Sequence, residues 1–139
     1  MKKLLSLTVL TSSLIFSAMA AAEVEVIVHP SNAAALDKDS ITRIFLGKTR
    51  GFPGGGEAIP VSMPKGNGAF DEFTQGVLGK SSKQLKAYWA KMVFTGKGTP
   101  PKEIGSAAEL SGLVANNPNI IGYVPAGTAG AGVKVVGKF

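Results

Sequence analysis

The sequence contains no cysteine and only one histidine among its 139 residues. Without cysteine the chain can form no disulfide, no thiolate metal site and no cysteine nucleophile. One histidine and nine carboxylates, spread over predicted helix starts and loops, provide no nucleophile–base pair and no metal-ligand spacing. We therefore expect a protein that is not an enzyme and that uses no cofactor and no metal. His29, which follows the first predicted strand, is interpreted as structural or simply exposed.

The sequence also lacks an apolar run long enough for a membrane helix, although its amino terminus is hydrophobic. Two lysines precede an apolar stretch at residues 4–16, and residues 18–20 (AMA) form a small-x-small cleavage site. This pattern is typical of a secretory signal peptide, and the stretch is too short and too rich in hydroxyls to span a bilayer. We predict a signal peptide at residues 1–22, one domain at residues 23–139, and a periplasmic or secreted product without a membrane span.

Blocks of like charge are absent as well. The net charge is +6, and removal of the two lysines in the signal peptide lowers it by two, to +4. The remaining lysines are scattered, which is typical of a solvated surface and not of the basic stripe that binds nucleic acid. We predict no nucleic-acid partner, and binding of acidic polymers is the weakest of the functional hypotheses.

Hydrophobic periodicity predicts strands and helices in alternation after the signal peptide. The apolar run VEVIV at residues 24–28 is typical of a strand that is covered on both faces. Polar N-caps that precede apolar stripes mark three helix starts: Asp37, either Ser81 or Ser82, and Ser106. Two closing strands follow at residues 120–124 and 133–136, joined by a Gly/Ala-rich turn.

The resulting order, β-α-β-α-α-α-β-β, is typical of an α/β fold. It predicts a mostly parallel mixed sheet of about four to five strands flanked by helices. Because the last two strands are joined too briefly for a crossover, we expect the antiparallel part at the edge of the sheet. Trp89, the only tryptophan, falls on an apolar helix stripe, which favours a core position over a role in stacking on a ligand.

The stretch AIPVSMPKGNGAFDEFTQGVL at residues 58–78 is the main candidate for a functional site. It reads as a short strand, a glycine-containing loop and a helix. Such a loop points free backbone N–H groups at one spot, with the positive end of the helix dipole behind them. It fits an anion or a small polar ligand, and the alternative is an ordinary turn that binds nothing. The candidate ligand-binding residues are Ser31, Asn32, Lys65, Gly66, Asn67, Gly68 and Ala69.

Four segments occur in a fixed order along the mature chain: LDKDSITRIFLGKTRGF, AIPVSMPKGNGAFDEF, YWAKMVFTGKG and NNPNIIGYV. Together they resemble one lobe of the phosphate-type periplasmic substrate-binding proteins of ABC transporters, which are type II periplasmic binding proteins. The resemblance spans about residues 26–136. It implies a single lobe of a two-lobed α/β fold and non-enzymatic binding of a phosphate-like anion. It also implies an ABC permease or another envelope protein as partner.

Comparison with the family's binding loop, which typically reads RSDGSGTT, shows that its side-chain ligands have changed. The Arg, Asp and Ser positions are Met63, Lys65 and Asn67, the glycine is kept as Gly68, and the Thr pair is Ala69 and Phe70. Charge-assisted hydrogen bonds of this kind are worth about 1.5–3 kcal/mol each. The resemblance therefore implies weak binding through backbone N–H groups, with Lys65 as a point charge.

Two functions stay open at this point. The first is a secreted binding protein of this superfamily, reduced to one lobe, that holds a small anion or polar ligand weakly. The second is a ligand-free assembly or interaction protein of the cell envelope. In that case the lobe is a scaffold that forms a homodimer, or docks on a partner, through the face that the missing lobe would cover.

Overall fold

Four helices and one five-stranded sheet make up the part of the protein that the computed structural model describes, residues 23–139. The elements are β1 (Val24–Val28), α1 (Lys38–Phe45), β2 (Ile59–Ser62), α2 (Gly68–Gly76), α3 (Ser82–Phe94), β3 (Lys102–Glu103), α4 (Ala107–Asn116), β4 (Ile120–Pro125) and β5 (Lys134–Lys138). The predicted signal peptide lies outside the described residues. Between residues 23 and 139, no helix has both the length and the apolar character needed to cross a bilayer.

The sheet has the strand order β3-β2-β4-β1-β5. β1 is antiparallel to both of its neighbours, with Val28 opposite Ile121 of β4 and Lys134 of β5. β2 runs parallel to β4 and to β3. The predicted α/β class with a mixed sheet of about four to five strands is confirmed. The pairings, however, divide equally between parallel and antiparallel, whereas the sequence predicts mostly parallel ones.

The last two strands do not lie beside each other, because β1 lies between them. Both are antiparallel to β1, so they run in the same direction and residues 126–133 carry the chain across β1. The expectation that this connection is too short for a crossover is therefore wrong. Residues 126–133 must run back along the length of one short strand and sideways across two strand spacings, a distance of about 20 Å. An extended segment of this length can span that distance.

The three predicted helix caps are formed. The Asp37 carboxylate accepts a hydrogen bond from the Ser40 N–H at 2.8 Å, and Ser106 caps α4 in the same way. At α3, the Ser81 and Gln84 side chains each accept the other residue's backbone N–H, at 3.1 and 2.9 Å. Each cap stabilises its helix by about 1 kcal/mol, and so the helix starts are set by local sequence.

The core centres on three aromatic rings that join the sheet to α1 and α2. Phe73 stacks on Tyr123 with ring centroids 3.9 Å apart, and Phe45 meets Phe73 edge-on at 4.6 Å. A smaller cluster holds α3 in place through Leu46, Phe70, Leu85 and Trp89. Trp89 is 8% exposed, so its predicted core position is confirmed.

Candidate functional site

The candidate loop connects β2 to α2 and turns at Gly66. Ser62 ends β2 in a buried position, and Met63 after it is also buried. Gly66 has a φ of +86°, in the left-handed region that favours glycine. Asn67 then returns to extended backbone and caps α2, with its side-chain oxygen accepting the Ala69 N–H at 2.9 Å. The amino end of α2 therefore lies close to the carboxyl end of β2.

Several N–H groups of this loop already have partners within the chain. The Lys65 N–H donates to the Glu103 carboxylate at 3.1 Å, and the Asn67 N–H donates to the Pro64 carbonyl at 3.1 Å. The Ala69 N–H is held by the cap described above. Glu103 thus places a carboxylate beside the backbone N–H groups of the loop.

Two of the four predicted N–H donors are available for a ligand. In the described part of the chain, the N–H groups of Gly66 and Gly68 have no hydrogen-bond partner, whereas those of Asn67 and Ala69 do. The prediction that all four are free is therefore corrected. An asparagine N-cap occupies the same helix-terminal N–H that a bound anion would use, and so the two compete.

Ser31 and Asn32 lie at the amino ends of β2 and β4, whereas the loop lies at their carboxyl ends. β1 ends with Val28 opposite Ile121, beside the amino ends of β2 and β4, because β1 is antiparallel to both of these strands. The Ser31 hydroxyl lies 2.7 Å from the His29 ring, and the Asn32 side chain accepts the N–H of Ala34. The grouping of Ser31 and Asn32 with residues 65–69 in one site is therefore wrong.

A cavity of about 600 Å³ opens beside the loop, and Lys65 and Gly66 line it. It lies at the carboxyl ends of β2 and β4, against α2, α3 and the segment that leads into β3. Large apolar and aromatic side chains form most of its wall: Phe45, Phe70, Phe73, Leu85, Trp89 and Tyr123. Loop and cavity together form one site, which we call the carboxyl-edge site.

Ser62 and Tyr123 form a hydrogen-bonded pair in the wall of this site. Their hydroxyl oxygens are 2.8 Å apart, and the Ser62 hydroxyl also donates to the Met63 carbonyl at 2.9 Å. Because Ser62 has a single proton, Tyr123 donates to Ser62. Burial raises the pKa of the Tyr123 phenol to about 12. The phenol is therefore a neutral hydrogen-bonding group at physiological pH.

Thr74 contributes a hydroxyl group without a partner. The residue lines the cavity and is 1% exposed, and its Oγ1 makes no hydrogen bond within residues 23–139. Thr42 and Thr95 differ, since each donates to the carbonyl four residues earlier. A buried hydroxyl that makes no hydrogen bond is rare and unfavourable. Thr74 therefore adds an unused polar atom to a mostly apolar wall.

Five charged side chains line the cavity in addition to its apolar wall: Lys65, Asp71, Lys83, Lys86 and Glu103. The two carboxylates accept hydrogen bonds, Asp71 from the Ser82 hydroxyl at 3.0 Å and Glu103 from the Lys65 N–H. The ion pairs found in residues 23–139 lie elsewhere, on Arg43 and Lys138. No group of three acidic or histidine side chains that could hold a metal occurs in this range.

Sequence reasoning missed Thr74, Glu103 and the aromatic wall of this site. Glu103 reaches the loop from 38 residues away, through a two-residue strand that no periodicity marks. Thr74 reads as an ordinary helix residue, because its missing hydrogen bond depends on tertiary packing. Trp89 both packs in the core and lines the cavity, so the core and ligand interpretations of this residue are compatible.

A second cavity of about 460 Å³ is also lined by Trp89. Phe45, Trp89 and Pro101 line both cavities, and Arg50, Val93 and Lys97 line the second one. Next to it, at the end of α3, the Phe94 side chain is 91% exposed and Val93 is 52% exposed. The end of α3 is therefore an apolar patch on the surface.

No family model matches this chain, and no curated protein matches it. Several solved structures, however, match its fold. An ABC-type phosphate transport receptor from Vibrio cholerae superposes with a TM-score of 0.64 at 15% identity, covering 83% of this chain and 45% of its own length. A protein from Clostridium perfringens, described as a phosphate ABC transporter substrate-binding protein with bound phosphate, gives 0.61 at 23% identity, with 83% and 44% covered.

PstS from Borrelia burgdorferi superposes with a TM-score of 0.57 at 12% identity, covering 78% of this chain and 42% of its own. At these identities the likeness establishes a shared fold. The chain spans less than half the length of each of these proteins. Its fold is that of one lobe of a phosphate-type periplasmic binding protein, as the sequence resemblance implies.

Proposed function

We propose that this chain is an exported, non-enzymatic binding domain that holds a small anionic or polar ligand in the carboxyl-edge site. The main support is the position of the cavity, at the carboxyl ends of β2 and β4 and beside the start of α2. Ligands of α/β proteins bind at the carboxyl ends of strands, in cavities of about 300–1,000 Å³. The solved structures that share this fold include a phosphate transport receptor and a substrate-binding protein with bound phosphate, which supports a small anion as the ligand.

Binding of phosphate itself would be weak. The N–H groups of Gly66 and Gly68 and the Lys65 ammonium are the donors available at the loop. The Glu103 carboxylate competes with an anion for the Lys65 N–H, and Met63 stands where the family has a bidentate arginine. A few hydrogen bonds without a guanidinium clamp correspond to a Kd on the order of millimolar.

The absence of enzymatic chemistry is part of the same proposal. His29 is the only histidine of the chain, and it lies with Ser31 at the edge of the sheet away from the cavity. The carboxylates of Asp71 and Glu103 line the cavity without a histidine beside them, and Asp71 accepts the Ser82 hydroxyl. We accordingly assign a role in capture or presentation of a ligand, with an ABC permease or another envelope protein as the partner.

Isothermal titration calorimetry of the purified protein tests the proposal. Phosphate, sulfate and acetate are titrated to about ten times the expected Kd, on the order of ten millimolar, first into the wild type and then into the Lys65→Gln variant. We expect saturable heat with at least one anion, and a weaker affinity in Lys65→Gln. The Lys38→Gln variant removes an equal charge from α1, at a residue that does not line the cavity, and should bind like the wild type. Absence of heat with all three anions would exclude binding of small anions.

The exposed apolar patch at the end of α3 favours a second candidate function, that of an assembly or interaction protein of the cell envelope. Phe94 is 91% exposed beside the half-exposed Val93, and exposed apolar clusters are typical of contact surfaces. Sedimentation velocity with Phe94→Ser distinguishes the two functions. A ligand-independent dimer that dissociates in Phe94→Ser supports assembly. A monomer in both proteins contradicts self-association.

A further inference from the structure

We propose that the carboxyl-edge site takes an amphipathic organic anion, such as a carboxylate or sulfonate on an aromatic or aliphatic body, in preference to inorganic phosphate. This inference rests on the proposed function, since it assumes that the site binds a small ligand, and it specifies the class of that ligand. Three independent features of the site carry it: its apolar wall, its unpartnered hydroxyl and its lysines.

The apolar wall is too extensive for an inorganic anion. Three phenylalanines, Leu85, Trp89 and Tyr123 line a space of about 600 Å³. Inorganic phosphate bound at Gly66 would occupy a small part of this volume and would leave the accessible edges of these side chains, which are 1–8% exposed, against water. A ligand with an apolar body covers that surface, and this burial is the main favourable term in binding of small organic molecules.

The Thr74 hydroxyl marks a point where the ligand carries a polar atom. This residue lies in the same wall, its Oγ1 is buried, and it has no hydrogen-bond partner in residues 23–139. The hydroxyls of Thr42 and Thr95 each donate to the backbone carbonyl four residues earlier. The Thr74 hydroxyl makes no such bond, although the same kind of acceptor precedes it in α2. A polar atom of the ligand that reaches Thr74 satisfies a group that the free protein leaves unpaired.

The lysines around the cavity select a negative charge. Lys65, Lys83 and Lys86 line it, and none of them forms an ion pair with a described residue. Lys83 and Lys86 are three residues apart on α3 and therefore lie on one face of the helix. The two acids that line the cavity, Asp71 and Glu103, already accept hydrogen bonds. The lining therefore has three lysines and two carboxylates, and both carboxylates have other partners.

The test uses 8-anilinonaphthalene-1-sulfonate, an anionic fluorescent probe with an aromatic body. Trp89 is the only tryptophan and lines both cavities, so energy transfer from Trp89 reports bound probe, and the lysine and threonine variants described below locate it. We expect saturable transfer in the folded protein, displacement by decanoate, and no displacement by an equal concentration of phosphate. Decanol, which has the same chain without the charge, should compete less well.

Two variants separate the site from nonspecific adsorption. Lys83→Ala/Lys86→Ala should weaken probe binding by about tenfold, whereas Lys38→Ala/Lys91→Ala, which removes the same charge elsewhere, should stay within about twofold. Thr74→Val keeps the shape of the side chain and should weaken decanoate binding by about threefold while raising Tm. Unchanged decanoate affinity in both Lys83→Ala/Lys86→Ala and Thr74→Val would overturn the proposal.

The outcomes also separate this inference from the proposed function. Calorimetric heat with phosphate, together with no saturable probe binding, would overturn the amphipathic ligand and leave the small-anion site in place. Saturable probe binding that decanoate displaces, in a protein that gives no heat with phosphate, supports the inference and limits the site to organic anions. If the small anions give no heat and the probe does not bind saturably, both the small-anion site and the amphipathic ligand are overturned.

Discussion

The phenol oxygen of Tyr123 lies 2.8 Å from the hydroxyl of Ser62, and this contact joins two neighbouring strands at the carboxyl edge of the sheet. Ser62 is the last residue of β2, directly before the candidate loop, and Tyr123 carries the ring on which Phe73 of α2 stacks. One hydrogen bond and one ring stack thus fix the loop and α2 relative to the sheet. The position of the carboxyl-edge site depends on this pair.

Alkaline pH should destabilise the protein through Tyr123. Its pKa is about 12 in the folded state and about 10 in the unfolded chain. Between these values the unfolded chain releases the phenolic proton and the folded protein retains it, so stability falls as the pH rises from about 10 to 12. The loss amounts to about 2–3 kcal/mol.

Urea denaturation at pH 9, 10 and 11 measures the first half of this loss, about 1.4 kcal/mol. Tyr123→Phe should be less stable than the wild type at pH 8, by about 1 kcal/mol, because it loses the hydrogen bond to Ser62. Its stability should then change less with pH. Equal slopes in the two proteins would show that other groups cause the alkaline loss.

Thr74→Val should stabilise the ligand-free protein by about 1 kcal/mol. The substitution keeps the branched shape and removes a buried hydroxyl that has no partner in the described chain. Thr42→Val is the matched control, since the Thr42 hydroxyl lies within hydrogen-bond distance of the Lys38 and Val77 carbonyls. It should lose about 1 kcal/mol. Chemical denaturation measures the free energy of unfolding of the two variants. A destabilised Thr74→Val would show that the Thr74 hydroxyl has a hydrogen-bond partner in solution.

Glu103→Gln should strengthen binding of small anions by about threefold. The amide oxygen can still accept the Lys65 N–H, so the loop keeps its hydrogen bond while a negative charge leaves the site. Glu72→Gln removes an equal charge from an exposed position on α2 and should have little effect. Calorimetry with phosphate compares the three proteins. Weaker binding to Glu103→Gln would mean that the carboxylate itself contacts the ligand.

Asn67→Ala should cost about 1 kcal/mol of stability and should not weaken anion binding. Removal of the cap frees the Ala69 N–H, which then becomes a third donor at the start of α2. Ser81→Ala removes the equivalent cap of α3, and should lose similar stability without any change in affinity. If Asn67→Ala abolishes binding, the asparagine side chain is itself a ligand contact.

Gly122→Ala should destabilise the core by about 1–3 kcal/mol. A Cβ at this position of β4 would lie 2.5 Å from Leu110 Cδ2 and 3.0 Å from Val61 Cγ2, both on buried residues. Gly112→Ala is the control, because this glycine of α4 has open space around it. The control should gain up to about 1 kcal/mol from helix propensity. Thermal unfolding of the two variants should therefore shift Tm in opposite directions.

Sequence patterns predicted the features whose causes are local. The cap at Asp37, the reciprocal bonds of Ser81 and Gln84, and the limits of β1 all depend on residues within one turn or one strand, and the structure has them as expected. The position of Trp89 follows from helical spacing in the same way. Signals of this kind act over a few residues, and a single sequence contains them in full.

Features that join distant parts of the chain could not be predicted in this way. No local pattern states that β1 lies between β4 and β5, or that Ser31 and Asn32 finish at the edge away from the loop. The Glu103 contact with Lys65 depends on where β3 joins the sheet. The cavity is a product of all these contacts, so the sequence identified the loop and missed most of the site around it.

The central place of β1 in the sheet has a consequence for how the domain folds. β1 is the first of the described elements along the chain, yet its two neighbours, β4 and β5, are the last two of them. During folding, a very apolar strand therefore stays unpaired until these two distant strands reach it. Closure over such long sequence separations is slow. A polypeptide that stops before β4 has no partner for its own first strand.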